Sequence, residues 1–554
     1  MQVGCLCSRR PSLPGSPPPS TASTHSTQPT RRLSTECRSM AEPGSTDTPY
    51  NSAKAALLLA AIFSASACAI VYELLIGSTS AYFLGDSVQQ FSVTIGLFLA
   101  SMGLGAWLSR AVVDHLLERF IALELWLAAV GGSCVPILYF AYLYTDGFRY
   151  WMILLIVAIG ALVGLELPLL TRMLQQHGGL RTVLANVLSI DYLGSLAAAL
   201  LFPYLLLPLL GAFNTSLTAG LLNVAVGLVL LVAFWSQLAR GPRLRLLGLG
   251  LFVVGALGLA LVMANPIRER LESELYTDQI IYSEQSPYQQ IVLTRWQDEI
   301  RLYLDRHLQF SSADEYRYHE SLVHPAMSLA DQAKRVLIIG GGDGLSAREI
   351  LRHSQVERVD LVDLDHVITD LARRDLRLTG LNDNALSRPE MRIFNEDGFT
   401  FLERAQEAYG VIIIDLPDPR DEALSKLYSV EAYRLCARHL SPGGVLVTQA
   451  TSPYYARKSF WSIAATMAES GLHVIPYHTL VPSFGEWGFV AGSKSNREPT
   501  ELTFDVSDLR YITPELFRQM QTFPADMSRP EQVVVNRLDR PVLARQYRED
   551  WSRW

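Results

Sequence analysis

Between Lys54 and Asn265 the chain passes through seven apolar stretches in close succession, from ALLLAAIFSASACAIVYELL to LLGLGLFVVGALGLALVMA. Each approaches the ~20 residues that a helix needs to cross a hydrocarbon core. Any one of them reads equally well as the buried helix of a soluble protein. Seven in succession argue against that and predict an α-helical transmembrane bundle of about seven spans over 51–266. Composition agrees. Charged residues make up 18% of the chain, against ~25% in an ordinary soluble domain. Hydrophobic residues make up 49% and mean hydropathy is +0.18, averages expected of a soluble part fused to one that lives in lipid. A length of 554 residues calls for two or more domains. Lys plus Arg is 47 and Asp plus Glu is 54, a net charge of −7, so there is no general attraction to nucleic acid.

The first fifty residues are mostly Ser, Thr, Pro and Arg. They hold too few apolar side chains to offset the entropy of ordering, which favours disorder over 1–50. A transit peptide is the functional alternative, and a start at Met40 is a third reading. The six cysteines, Cys5, Cys7, Cys37, Cys68, Cys134 and Cys436, are too few for a disulfide-stapled scaffold. They form no zinc-type set, because Cys5 and Cys7 are too close together and lack partners. Glu73, Glu166 and Asp191 lie inside the apolar runs. An acid at mid-helix costs ~2.5–3.5 kcal/mol, so such residues face a bundle interior. They line a cation or polyamine path, or make plain helix–helix hydrogen bonds.

After Asn265 the pattern turns soluble. QIVLT and IRLYL read as strands of a small β unit over 267–312. RVLIIG, RVDLVD, MRIFN, GVIIID and GVLVTQ then alternate with the helical SAREILRH, HVITDLARR, GFTFLERA and SVEAYRLCARHL. This alternation predicts a doubly wound, mostly parallel α/β sheet over 313–500. HVIP and WGFVA could close its edge, and 501–554 forms a carboxy-terminal extension. The first strand of this sheet runs into GGGDG, Gly340 to Gly344, and then into a helix, so Gly340 and Gly342 permit a tight turn and close approach of a ligand. Asp363 ends the next strand, where an acid can grip a pair of ribose hydroxyls or simply sit at the surface. Asp397 and Gly398 follow the strand after that and suit an adenine edge. No P-loop Lys-Ser/Thr follows the glycines, so a nucleoside without phosphates fits better than a dinucleotide. The fourth strand ends in DLPDP, which puts Asp415 and Asp418 at the carboxyl end of the sheet, where open α/β sheets bind ligands. Turn formation before Pro419 is the plain alternative, but a carboxylate directly after the apolar Val411–Ile414 needs partners to hold it there.

Taken together, these residues resemble the spermidine synthases, the polyamine aminopropyltransferases. The resemblance runs from about Tyr276 to Val490 and rests on SPYQQI, LYLDRHLQFSSADEYRYHESLVHPAM, VLIIGGGDG, DGFTFL and DLPDP followed by KLYS. The whole chain is similar to the bacterial branch with a fused polytopic membrane domain, through YELLIGSTSAYFLGDSVQQFS, VGLELPLLTRML, LSIDYLGSLAAALLFP, FWSI and VPSFGEWGF. The resemblance implies a methyltransferase-like Rossmann sheet. It implies transfer of an aminopropyl group from decarboxylated S-adenosylmethionine to putrescine, giving spermidine and methylthioadenosine, with no further cofactor and no metal. It puts Gln289 and Asp363 on the ribose side of that cosubstrate and Asp397 with Gly398 at its adenine. Asp343 and His319 come to lie around the aminopropyl and polyamine amines, and Gln309 and Tyr318 line the same pocket. Asp415 becomes the proton acceptor, helped by Tyr318, and Asp418 the anchor for the far amine of putrescine.

The chain departs from the family pattern in places. Asp363 stands where soluble members have Glu, Arg306 replaces a Gly in the LDG turn, and Glu422 replaces a Pro after the DP pair. SFGEWGF lacks the Tyr-Pro of the soluble enzymes, with Phe484 nearby. These changes bear on the acceptor amine more than on the reaction class. A membrane-bound methyltransferase would share the sheet and glycine turn but would not need acids at Asp343, Asp415 and Asp418. A polyamine sensor or transporter with a degenerate enzyme half would not need Asp415, Asp418 and Tyr318 intact. His319 and His324 read as pocket and core residues. Soluble relatives form dimers or tetramers, so a homo-oligomer is one expected assembly. A cytosolic cosubstrate calls for a multi-pass protein of the inner cell membrane with its catalytic half in the cytosol. The positive-inside rule disagrees. Arg110, Arg119, Arg172, Arg181, Arg240 and Arg243 fall in alternate loops, and with seven spans these would send the chain beyond Asn265 to the other side.

Overall fold

The structure, a computed structural model, describes residues 52–85, 87–175, 180–496 and 502–554. The segment read as disordered, as a transit peptide or as preceding a start at Met40 lies outside the described residues, as do Cys5, Cys7 and Cys37. In the apolar half the backbone satisfies its own hydrogen bonds as helix: α1 (Ser52–Leu84), α2 (Ser87–Leu108), α3 (Leu116–Gly132), α4 (Cys134–Tyr144), α5 (Phe148–Leu174), α6 (Leu180–Leu201), α7 (Leu207–Ala233) and α8 (Arg240–Val262). They pack around one apolar core. Backbones approach closely where glycine removes the side chain: a Cβ on Gly105 of α2 would lie 2.1 Å from the Ala161 carbonyl oxygen of α5, and one on Gly164 of α5 would lie 2.1 Å from that of Met102.

Five helical segments are long and apolar enough to cross a membrane, or six if α3 and α4, bent by 41°, count as one. The seven apolar stretches therefore do not become seven separate helices of spanning length. Two of them run on as a single segment, Arg181–Ala233. A turn of π-helix at Phe202–Leu206 joins α6 to α7 in place of a loop, and the helix breaks only at Gly211, where φ is 71° and ψ 168°. Only glycine enters that region without strain.

The polar helix α9 (Ala264–Leu275) leads to the soluble half. Strands β1 (Gln279–Gln285), β2 (Gln290–Trp296), β3 (Glu299–Leu304) and β4 (His307–Ser311) form an antiparallel sheet in that order. After α10 (Glu315–Leu329) come β5 (Arg335–Gly340), α11 (Leu345–Leu351), β6 (Arg358–Val362), α12 (His366–Arg374), α13 (Leu376–Leu381) and β7 (Met391–Phe394). The chain continues through α14 (Gly398–Arg404), β8 (Tyr409–Asp415), α15 (Glu422–Leu427), α16 (Val430–His439), β9 (Leu440–Gln449) and α17 (Arg457–Glu469). An edge hairpin of β10 (His473–Val481) and β11 (Gly485–Ser493) follows, then α18 (Pro514–Gln519) and α19 (Leu543–Trp551). The second sheet runs β10-β11-β9-β8-β5-β6-β7. Its five central and far strands are parallel, and the hairpin is antiparallel. This is the expected doubly wound sheet, with HVIP and WGFVA closing one edge. The interiors of β5 (Val336–Ile339) and β8 (Val411–Ile414) are apolar because both faces are covered. The strand order reverses between them, which opens a crevice at their carboxyl ends.

The two halves touch through the β3–β4 turn. Arg306 there has φ 70°. Its guanidinium donates to the Tyr142 hydroxyl at 2.5 Å and lies over the Tyr142 ring at 4.6 Å and the Phe83 ring at 5.6 Å. A glycine could have made the turn but not this contact. Substitution Arg306→Ala should release the turn: amide exchange in the β3–β4 turn is expected to rise about tenfold, through the loss of one hydrogen bond and the cation–π contacts. Unchanged exchange would show that the contact holds nothing.

Candidate active site

The crevice is a cavity of about 880 Å³. Its floor is the turn after β5. Gly340, Gly341 and Gly344 have φ of 86°, 65° and 82°, a region that favours glycine. A Cβ on Gly340 would meet the Asp415 carbonyl oxygen at 2.1 Å, and one on Gly342 the Asp363 carboxylate at 2.6 Å. The glycines thus let the turn lie directly against the ends of β8 and β6. Asp363 accepts from the Gly342 N–H at 3.0 Å and from the Asp365 N–H at 2.9 Å. Burial outweighs those bonds and raises its carboxyl to about 7. Asp365 caps α12 and accepts from the Gln289 amide at 3.0 Å, which ties the small β-sheet to the glycine-turn end of the cavity. Asp397 caps α14 and pairs with Lys426 at 2.8 Å.

Acidic side chains gather at the other end. Asp415, the last residue of β8, accepts from the Tyr318 hydroxyl at 2.8 Å and from Ser346 Oγ at 2.5 Å. Burial and the Asp415 charge hold the Tyr318 phenol well above its ordinary range, so it stays a donor. Asp418 accepts from the Tyr547 hydroxyl at 2.8 Å, Thr451 Oγ1 at 3.2 Å and the Gln449 amide at 3.3 Å. Burial nevertheless raises its carboxyl to about 6. Asp343 accepts from the Leu345 N–H at 2.9 Å, and burial raises it also to about 6. His319 is 2% exposed. Burial alone would lower its imidazole, but a 2.8 Å bond to Glu315 and the charges of Asp415 and Asp343 hold it near 8. Arg348 fixes Glu315 in turn, at 3.0 and 2.9 Å.

Every site residue singled out from sequence lines this one cavity: Gln289, Gln309, Tyr318, His319, Gly340, Gly342, Asp343, Asp363, Asp397, Gly398, Asp415 and Asp418. Asp415 and Asp418 point into it, held by hydroxyls and an amide. His324 lies in the core, bonded to His353 at 2.9 Å and Glu349 at 3.1 Å. Phe484 and Trp487 form part of the wall, 4.9 Å apart. Reading the sequence missed Ser346, Thr451 and Gln449, and it left Tyr547 and Trp551 in an unassigned extension although both line the cavity. Ser346 was findable, since it follows the glycine turn in the first turn of a helix. Thr451 has φ 59°, strain in a β-branched residue that sequence does not announce.

Because the Asp418 carboxyl is raised, the proton it carries at low pH stabilises the fold, and that contribution fades as pH rises through about 6. Asp418→Asn should therefore melt higher than the parent at pH 8, by roughly 1 kcal/mol or a few degrees after allowing for solvent screening. The difference should shrink at pH 5. A variant that melts lower at pH 8 would contradict this.

Comparison with known proteins places the chain in a family. Residues 315–505 match the spermine/spermidine synthase domain. The polyamine aminopropyltransferase 2 of Ralstonia nicotianae is 44% identical over 506 residues, which is 90% of this chain and 98% of that protein. The polyamine aminopropyltransferase of Leptospira interrogans is 42% identical over 88% of this chain and 97% of that one. A solved spermidine synthase in complex with the transition-state analogue AdoDATO is 28% identical, with a TM-score of 0.41, over 44% of this chain and 86% of that one. With relatives this similar along nearly their whole length, the chain belongs to the polyamine aminopropyltransferase family of enzymes, the spermine/spermidine synthases.

Proposed function

We propose that this protein is a membrane-embedded spermidine synthase, moving the aminopropyl group of decarboxylated S-adenosylmethionine onto putrescine. The observation that carries the reading is the set Asp343, Asp415 and Asp418 in one cavity, none of which pairs with an arginine or lysine among the described residues. Such a site favours a dication. Each putrescine ammonium has a pKa near that of Lys, ~10.4, so almost none is neutral at pH 7. Asp415 takes a proton from the near ammonium. The freed nitrogen lone pair forms the N–C bond while the C–S bond of the sulfonium breaks, and its electron pair leaves with neutral methylthioadenosine. Tyr318 and Ser346 hold Asp415 in line, and Asp418 fixes the far ammonium. General-base help is worth ~10²–10⁴ in rate, and orientation up to ~7–11 kcal/mol.

In this reading Gln289 and Asp363 hold the ribose. Gly340 and Gly342 let the backbone approach the nucleoside, and Asp397 with Gly398 meets the adenine. Gln309, His319 and Asp343 surround the aminopropyl arm. Ordinary S-adenosylmethionine would bring its own carboxylate against Asp343, a repulsion of ~1–4 kcal/mol at 4 Å for effective dielectrics of 80 to 20. Asp415→Asn should lower turnover at least a hundredfold while nucleoside binding is kept. Turnover close to the parent's would refute the role.

The membrane reading rests on the helical half. At 1.5 Å per residue, the 53 residues of Arg181–Ala233 would reach about 80 Å, far beyond a ~30 Å core. We count that segment as two crossings parted at Gly211, and α3 with α4 as one. Added to α1, α2, α5 and α8, this makes seven. Exposed Leu99, Leu154, Leu200, Leu251 and Phe252 suit contact with lipid, and exposed Trp107, Tyr144, Tyr150 and Trp151 suit its interfaces. The Arg306 contact with Tyr142 and Phe83 supports a catalytic half at the end of the bundle away from Arg110 and Arg172. We assign that end to the cytosol because the cosubstrate is made there, against a bias set by a handful of arginines. A thiol reagent that cannot cross membranes should leave a cysteine appended after Trp554 unlabelled in intact spheroplasts and label it after lysis. Labelling before lysis would sink the assignment.

A further inference from the structure

Several polar side chains that aminopropyl transfer does not use meet inside the helical bundle. Tyr72 of α1, Glu124 of α3 and Asn223 of α7 are each 0% exposed, and Glu166 of α5 is 5% exposed. Packing fixes their juxtaposition. Helices α3 and α7 meet face to face: a Cβ on Gly220 would lie 2.7 Å from the Gly132 Cα, and one on Gly227 would lie 3.4 Å from the Glu124 Cβ. Asn223 lies between those two glycines on the same face of α7, so it faces α3 next to Glu124. The Tyr72 ring packs where a Cβ on Gly131 would fall, two turns along the Glu124 face of α3. Helix α5, which carries the buried Glu166, packs against both α1 and α3.

Their hydrogen bonding is incomplete. Among the described residues, neither carboxylate oxygen of Glu124, nor Oε1 of Glu166, nor either polar atom of Asn223, nor the Tyr72 hydroxyl has a partner. Folded proteins satisfy nearly all such atoms, and ionisable groups inside a membrane mark substrate or ion sites by default. The other intramembrane acids differ. Asp191 is bonded to Ser66, and Glu73 is only half-buried. Among the described residues no three His, Cys, Asp or Glu side chains converge as metal ligands would. The unpaired oxygens of Glu124, Glu166 and Asn223 instead suit a group that brings several N–H donors and a positive charge, as an alkylammonium does.

We propose that Glu124, Glu166 and Asn223 form a second binding site, inside the bundle, for a protonated aliphatic amine, with Tyr72 at its edge. The inference rests on the reading of this protein as a membrane-embedded polyamine enzyme, and its test reads binding apart from transfer. Purified full-length protein in detergent is dialysed against radiolabelled putrescine, and transfer is assayed on the same samples. Glu124→Gln/Glu166→Gln should bind one amine fewer per chain than the parent. Transfer should stay within about twofold, because distant sites act independently. Asp418→Asn should keep the bundle amine. Equal amine binding by the parent and the double glutamine variant would overturn the proposal, whatever the transfer activity.

A measurement on the unaltered protein covers the case in which the variant fails to fold. Dicyclohexylcarbodiimide modifies protonated carboxyls in apolar surroundings, and its attachment to Glu124 and Glu166 is mapped by mass spectrometry. With putrescine at about ten times its Kd, modification should slow about tenfold, and sodium chloride of equal ionic strength should not slow it. Modification that ignores the amine, fails at both glutamates or slows equally with sodium chloride would overturn the proposal.

Discussion

Three carboxylates in one recessed cleft, Asp343, Asp415 and Asp418, which form no ion pair with an arginine or lysine among the described residues, are the constraint on which the rest of the soluble half depends. Asp415 is kept at the end of β8 by the Tyr318 and Ser346 hydroxyls, and Asp418 by Tyr547, Thr451 and Gln449. Hydroxyl and amide donors orient a carboxylate without neutralising it, which an arginine would do. The cost shows in the raised carboxyls of Asp343, Asp363 and Asp418. A cation placed among them would relieve that cost.

The surrounding fold absorbs the cost. Apolar strands β5 and β8 place the glycine turn and Asp415 at one edge of the sheet. Gly340, at positive φ, brings the backbone against Asp415 and Gly342 brings it against Asp363, while Thr451 is held in the left-handed region beside Asp418. A second layer, running from His319 through Glu315 to Arg348, fixes a cationic imidazole next to the acids. The carboxy-terminal helix then closes the far wall with Tyr547 and Trp551. Asp550 anchors that helix by accepting from the backbone N–H and the hydroxyl of Ser459.

The helical half follows a parallel logic in an apolar setting. Glycines let α2 meet α5 and let α3 meet α7, the close backbone approach that small residues allow. Arg306 joins the halves through a turn in which a small residue would have sufficed for the backbone.

Much of this was legible before any coordinates. Strand and helix alternation records which faces are covered, so the doubly wound sheet and the ends of β5, β6 and β8 followed from local periodicity. Motif resemblance then carried the names of the residues at those ends. Tertiary structure alone decided which of them meet. Tyr318 reaches Asp415 across 97 positions and Tyr547 reaches Asp418 across 129, contacts that no local pattern encodes. Glu124 passed unnoticed among apolar neighbours, and two apolar stretches merged into one segment because a π-turn replaced their loop. Sequence by itself determined where chain is buried and where a polar group must appear, because burial leaves a periodic trace. Only the folded molecule decided which polar groups find partners, because pairing depends on distances between elements far apart in the chain.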